Sequence, residues 1–179
     1  VDTDSYHFTS EGVTYRCEVG LGDFIAPELQ RKLRGQDLRT IPLPSYTRET
    51  DLFALAVHIF YLLMNGCHPF ACAKDGTPYI SNIPQMGYGT VQESIVAPQP
   101  VENIANGFFP FCQSRSGIVI PVYAPRFESL PYKIREMFVE TFVSGYMEPS
   151  KRIRAEDWQE VLLSMRGNIV QCNSCAGHY

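Results

Sequence analysis

TDLFALAVHIFYLLMNGCHPF, residues 50–70, decides the fold. Inside it, residues 52–64 form a run of thirteen with no formal charge and one polar side chain, His58. A membrane-crossing helix needs roughly 20 apolar residues, whereas a run of about 10–14 fits a helix buried in a protein core. Leu, Ala and Met favour helix, while Val, Ile, Phe and Tyr are neutral or lean to strand. Thirteen residues is long for a strand, so the run reads as helix. Thr47 or Thr50 can cap its start, and Glu49 and Asp51 suit the positive end of its dipole. Asn65-Gly66 ends it and Pro69 follows. A helix apolar on every side must be wrapped on every side. The segment, taken as residues 50–65, is therefore expected to be the axis of a globular domain. His58 is expected to be a core histidine with one satisfied partner, not a ligand.

The rest of the composition fits that picture. The chain has 179 residues, 45% of them hydrophobic and 19% charged, which points to one globular domain with a sizeable core. Its net charge of −4, with no long run of one sign, gives no electrostatic footprint for nucleic acid or an acidic membrane. No signal peptide opens the chain, and neither does Met, so it is expected to begin within a longer protein. Six cysteines are spaced unlike a small secreted disulfide framework, which implies a reducing, cytoplasmic compartment.

Residues 1–19 are expected to form a β-hairpin, with strands over 1–8 and 13–19 and a turn at Thr9-Ser10-Glu11-Gly12. Gly20-Leu21-Gly22 breaks the pattern. Ala26-Pro27-Glu28-Leu29-Gln30 opens a short helix, with Pro27 tolerated in its first turn. Residues 32–44 read as an exposed basic connection. Residues 71–128 hold seven prolines and are expected to be loops with short helices near 91–96 and 102–108 and a short strand within 117–123. Helical periodicity returns at 132–143, where Ile134, Met137, Phe138, Thr141 and Phe142 share a face and Gly145 ends the helix. A last helix covers 155–165, with Trp158, Val161, Leu162 and Met165 turned inward.

Four spaced motifs now stand in order. An Asp-x-Asp-Ser-Tyr run opens the chain, Gly20-Leu21-Gly22-Asp23-Phe24-Ile25-Ala26-Pro27-Glu28 follows, Asp51 opens the long apolar helix, and Pro149-Ser150-Lys151-Arg152 precedes the last one. This order resembles the C-terminal lobe of a protein kinase from its metal-binding loop onward. It is most similar to a bacterial subgroup with D-x-D-S-F/Y in place of D-F-G, a G-x-H-P-F turn after the long helix, and a Cys/His tail leading into a zinc ribbon. The resemblance implies a mainly α fold: a partial, protein-kinase-like C-lobe with a short N-terminal β-hairpin over 1–166. Within it the activation segment is 2–28, the axial helix 50–65, an insert 71–128 and the final helices 129–166. Residues 167–179 form a Cys/His tail, the start of a zinc ribbon.

The resemblance assigns roles residue by residue. Asp2 stands where a carboxylate binds the Mg²⁺ that bridges the β- and γ-phosphates of ATP. Asp4 replaces the usual glycine and is either a second metal ligand or an Asx cap. Gly20, Leu21, Gly22, Asp23 and Phe24 match the segment that receives the substrate, but Leu21 stands where a threonine is usual and has no hydroxyl. Glu28 should pair with Arg152, a bidentate pair that fixes geometry. Asp51 should accept backbone hydrogen bonds from the catalytic loop, besides suiting a helix start. Cys172, Cys175 and His178 form a C-x2-C-x2-H cluster suited to tetrahedral Zn²⁺, with a fourth ligand required from further sequence. Zinc is thus expected in an intact parent. Cys67 and His68 are adjacent and fit metal-ligand spacing poorly.

Phosphoryl transfer also needs a glycine-rich loop, a phosphate-binding lysine and a catalytic-loop aspartate and asparagine, and none is among these residues. The expectation is therefore a fragment whose parent transfers phosphate from Mg-ATP to protein Ser/Thr and which is inactive alone. Its expected partners are a protein substrate or docking partner and the N-lobe of the same protein, with no nucleic acid and no membrane. A rival reading is a pseudokinase or protein-interaction module, supported by Leu21 and Asp4 and by the aromatics Tyr79, Tyr88, Phe108, Phe109 and Phe111 as a docking surface. A zinc-ribbon nucleic-acid adaptor rests on the tail alone, and the net charge argues against it.

Overall fold

A computed structural model describes residues 6–16, 20–33, 44–74 and 100–169. Two short strands come first, β1 (Phe8–Ser10) and β2 (Val13–Tyr15), paired antiparallel with Phe8 opposite Tyr15. The turn is tighter than the four residues expected. Glu11 and Gly12 both take positive φ, 51° and 79°, and this two-residue geometry matches strand twist, so Thr9 and Ser10 stay in β1. Tyr6 and His7 lie outside the strand.

A 3₁₀ turn at Gly22–Phe24 leads into α1 (Pro27–Leu33), with Pro27 as its first residue. Lys32 and Leu33 thus belong to α1 and not to a connection, whose residues 34–43 lie outside the described set. The long helix α2 is Arg48–Leu63. It starts two residues earlier than expected because Thr47 and Thr50 act together. The Thr47 side chain accepts from the Thr50 amide, and the Thr50 hydroxyl oxygen accepts from the Thr47 amide, a reciprocal capping box. At the other end Asn65 and Gly66 take positive φ, and the Gly66 N–H returns to the Tyr61 carbonyl at 2.8 Å.

Helix α2 is the core's axis but it is not wrapped all round. Phe53, Ala56, Val57, Ile59 and Phe60 are buried, whereas Asp51, His58 and Leu62 are exposed, Leu62 at 85%. These three sit seven and four residues apart, so they form one stripe on a 3.6-residue repeat. His58 is consequently a surface residue stacked on Phe24 at 4.4 Å, which corrects its assignment to the core.

Beyond α2 come β3 (Ala73–Lys74), α3 (Pro100–Ala105) and β4 (Ile118–Val119). The strands β3 and β4 pair antiparallel, Ala73 opposite Val119. The expected helix over 102–108 is thus shifted: α3 begins at Pro100 and stops before Gly107, whose φ is 63°. The strand expected in 117–123 is reduced to two residues. Residues 91–96, Tyr79 and Tyr88 lie outside the described set. Phe108 and Phe109 do not form a surface: both are buried, Phe109 completely, and Phe111 packs on the same core. Phe109 and Phe111 are drawn inward by a cluster of rings, while Phe108 lies beneath the Arg115 guanidinium, 3.9 Å from its ring centre. Phe60 has Phe138 and Phe111 at 4.9 Å and Phe109 at 5.9 Å, mostly edge to face, the geometry the ring quadrupoles prefer.

Helix α4 (Tyr132–Val139) continues without interruption through a π-helical turn at Glu140–Ser144 into α5 (Gly145–Met147). Ile134, Met137, Phe138, Thr141 and Phe142 are all buried. Gly145 does not end the helix. Its φ is −70°, and its role is spatial: a Cβ there would lie 2.7 Å from the Cγ of Arg152. A 3₁₀ turn at Pro149–Lys151 then precedes α6 (Ala155–Gly167), whose Trp158 packs on Phe138 at 4.9 Å. The described residues are mainly helical, with two small antiparallel strand pairs among them. Among the described residues no helix is long and apolar enough to cross a membrane.

Candidate functional site

The elements converge on Arg152, which is 2% exposed. Its guanidinium makes a two-pronged contact with Glu28 of α1, Nη1 to Oε1 at 2.8 Å and Nη2 to Oε2 at 2.6 Å. Nη1 also donates to the carbonyl of Glu49 in the first turn of α2 at 2.8 Å, and Nε donates to the carbonyl of Gly145 at 3.1 Å. The ring of Phe53 lies 5.4 Å from the guanidinium carbon. Arginine's planar fork, with five donors, is suited to a site that must bind a carboxylate and two carbonyls at once. Burial raises the cost of charge on Glu28, but the hydrogen bonds from Arg152 and its positive charge prevail and hold the carboxyl below its ordinary value. The structure therefore brings Glu28 and Arg152 together, and through them α1, α2 and the segment entering α6.

The loop at 20–24 runs just ahead of α1. Leu21 is 73% exposed, while Gly22, Asp23 and Phe24 are half-buried. Two side chains outside the loop hold its carbonyls. Gln30, buried in α1, donates to the Gly22 carbonyl. His68, buried after α2, bonds the Asp23 carbonyl through Nε2 at 2.9 Å. Space is also tight at Gly22, where a Cβ would meet the Val101 side chain of α3 at 3.2 Å. Neither Gln30 nor His68 stands out in the sequence as a site residue, because each acts on a backbone carbonyl, eight residues back for Gln30 and 45 for His68. A buried polar residue next to a proline turn was the one available signal for His68.

Asp51 stands in the first turn of α2 and lines a cavity of about 430 Å³ with Tyr6, His7, Phe8 and Tyr46. Desolvation raises its carboxyl above the ordinary value, with the nearby His7 opposing. Nδ1 of His7 is buried beside it without a hydrogen-bond partner among the described residues. The cavity thus presents the Asp51 carboxyl, with the His7 nitrogen buried in its wall.

Asp2, Asp4, Cys172, Cys175 and His178 lie outside the described residues. Among the described residues no three His, Cys, Asp or Glu side chains gather as a metal site. At Cys67-His68 both ring nitrogens of the histidine are taken by backbone groups, Nδ1 by the Phe70 amide and Nε2 by the Asp23 carbonyl. Burial pushes the Cys67 thiol up to about 11, against a hydrogen bond with Tyr123.

Comparison with known proteins follows the same line. Over 185 aligned positions the chain is 28% identical to Protein kinase YegI of Escherichia coli O157:H7, and equally so to Protein kinase YegI of Escherichia coli strain K12. The alignment takes in 99% of this chain but 24% of each relative, so the chain spans about a quarter of the length of the curated relatives it matches. No family model matches the chain, and no solved structure does. The chain is therefore related, at a distance, to a bacterial protein kinase.

Proposed function

We propose that this chain is the helical lobe of a protein-kinase-like protein, whose intact form transfers phosphate from Mg-ATP to protein Ser or Thr. The observation that carries the reading is the junction at Arg152. The glutamate of Ala-Pro-Glu and the arginine of Pro-Ser-Lys-Arg meet there across most of the chain, next to the helix that Asp51 opens. Likeness to Protein kinase YegI along nearly the whole chain supports it independently. In this reading residues 20–24 receive the substrate, and Asp51 anchors a catalytic loop entering the cavity beside His7. Asp2 and Asp4 are hard oxygen donors of the kind Mg²⁺ prefers, and Mg-ATP supplies the phosphoryl group. Cys172, Cys175 and His178 hold zinc with a fourth ligand from a longer protein, since two thiolates and an imidazole are a suitable partial tetrahedral set. The cysteine usage argues for the cytoplasm.

The test is phosphate transfer from radiolabelled ATP by a longer natural protein containing this region. Expected is transfer that Asp2→Asn abolishes, and none from the 179 residues alone, which carry no strand lysine or catalytic-loop aspartate. Zinc content that falls on Cys172→Ser checks the tail. A second reading, a pseudokinase or interaction module, is favoured by the exposed Leu21, an apolar side chain where a supporting hydroxyl is expected. Failure of the longer protein to bind Mg-ATP would select it.

A further inference from the structure

The turn after α2 reaches the 20–24 loop through one imidazole. His68 is 4% exposed, and both its ring nitrogens are engaged. The amide of Phe70 can only donate, and it points at Nδ1 from 3.1 Å. Nδ1 must therefore carry the lone pair, which leaves the ring proton on Nε2, where it meets the Asp23 carbonyl at 2.9 Å. A backbone donor on one side and a backbone acceptor on the other thus select a single neutral tautomer. Tyr61 at 5.4 Å and Phe24 at 6.4 Å stand edge-on to the ring and close it off from water. Burial lowers the ring's basicity, as expected of a histidine kept neutral, with the Asp23 carbonyl and charge opposing. The Phe70 end is itself pinned, since buried Asn103 of α3 donates to the Phe70 carbonyl at 2.8 Å. The chain of contacts runs from α3 through Phe70 and His68 to Asp23. It stops at the 3₁₀ turn in which Phe24 N–H bonds the Leu21 carbonyl and Ile25 N–H the Gly22 carbonyl.

We propose that His68 is the positioning residue of the 20–24 loop, holding the Asp23 carbonyl with an Nε2 proton that the Phe70 amide fixes in place. The word substrate attached to that loop rests on the function proposed above; the positioning does not. An ordinary core histidine would fill space and tolerate either tautomer. Here the two ring nitrogens do different work, so two isosteric variants separate them. Asparagine can keep an acceptor for the Phe70 amide but cannot reach Asp23, while glutamine can reach Asp23 but loses the acceptor.

Ring ¹⁵N spectra of the 179-residue chain at neutral pH should show His68 protonated on Nε2. In His68→Asn, amide exchange at Phe24 and Ile25 should accelerate about tenfold, with the Phe70 amide still protected. In His68→Gln the pattern should reverse. An Nδ1-protonated ring overturns the proposal, and so does equal exchange at Phe24 and Ile25 in the two variants. The ring spectrum is read on the unaltered chain, so a variant that fails to fold does not protect the idea. In a longer protein that phosphorylates dephosphorylated casein, His68→Asn should raise KM for casein about tenfold and leave kcat within about twofold. A fall in kcat at constant KM overturns the positioning role. If the unaltered protein transfers no phosphate, the kinase reading falls and the exchange pattern alone decides the role of His68.

Discussion

Arg152 is buried and bonds three separate segments, whereas all six strand residues of the β1–β2 hairpin face solvent. The two regions solve the same problem, fixing a local geometry, by different means. The hairpin relies on its own turn and on the stacked rings of Phe8 and Tyr15, 4.9 Å apart. A lone two-stranded pair of this kind is marginal in water. The junction instead takes its geometry from elements far apart in the chain, so disturbing it disturbs the whole core. Damage should spread from the one and stay local in the other.

The hardest blow to that contrast is Arg152→Ala. It leaves Glu28 largely buried without its partner and frees two carbonyls, so urea denaturation should report a loss of about 3–5 kcal/mol. Arg152→Lys should rescue little, because an ammonium cannot span the same acceptors. A loss below about 1 kcal/mol, the range of a surface pair, would show that the junction is ornamental.

Two glycine substitutions sharpen the contrast with identical chemistry. Gly145→Ala pushes a methyl against Arg152 and should cost about 1–3 kcal/mol of global stability by overpacking. At Gly12 the φ is 79° and nothing lies within 4 Å of a Cβ, so Gly12→Ala strains only its own backbone. Its cost of about 1 kcal/mol should appear as fraying of β1–β2, with the melting temperature of the core unchanged. A core Tm that drops equally in both would erase the distinction.

Acid probes the junction from another side. The Glu28 carboxyl is held below its unfolded value of 4.5, so its contribution is complete above that pH and disappears as the pH falls through the folded value. Glu28→Gln should be less stable than the unaltered chain at neutral pH, and the gap should close in that acidic window. Acid titration of both by circular dichroism checks the sign. Smallest of all should be Leu62→Glu on the open stripe of α2, within about 0.5 kcal/mol in this chain. A much larger loss would mean that the stripe is covered after all.

What could be read in the sequence divides along the same line. The long helix, expected over 50–65 and found at 48–63, its Asn65-Gly66 exit, the buried face of α4 and the pairing of Glu28 with Arg152 were legible, because periodicity, turn chemistry and motif order are local or stereotyped signals. The exposure of His58 was not, since an apolar run does not reveal which side lacks a neighbour. Phe108 and Phe109 looked like surface in a proline-rich stretch, yet both are buried, Phe109 among the rings of Phe60, Phe70, Phe127 and Phe142 and Phe108 beneath the Arg115 guanidinium. Gly145 looked like a terminator because its spatial neighbour, the stem of Arg152, is invisible in the linear order. The roles of Gln30 and His68 depend on carbonyl positions, which no side-chain pattern encodes.

The separation of Arg152 from Glu28, 124 positions along the chain, also has a kinetic meaning. Contacts so distant in sequence close large loops, and the entropy of closing them delays their formation until most of the core exists. The junction should therefore be absent from the folding transition state and present only after it. Weakening it should leave the refolding rate almost untouched and speed unfolding by nearly the whole loss. Arg152 in that case acts less as a nucleus than as a latch: it contributes little to how fast the chain finds its shape and much to how long it keeps it.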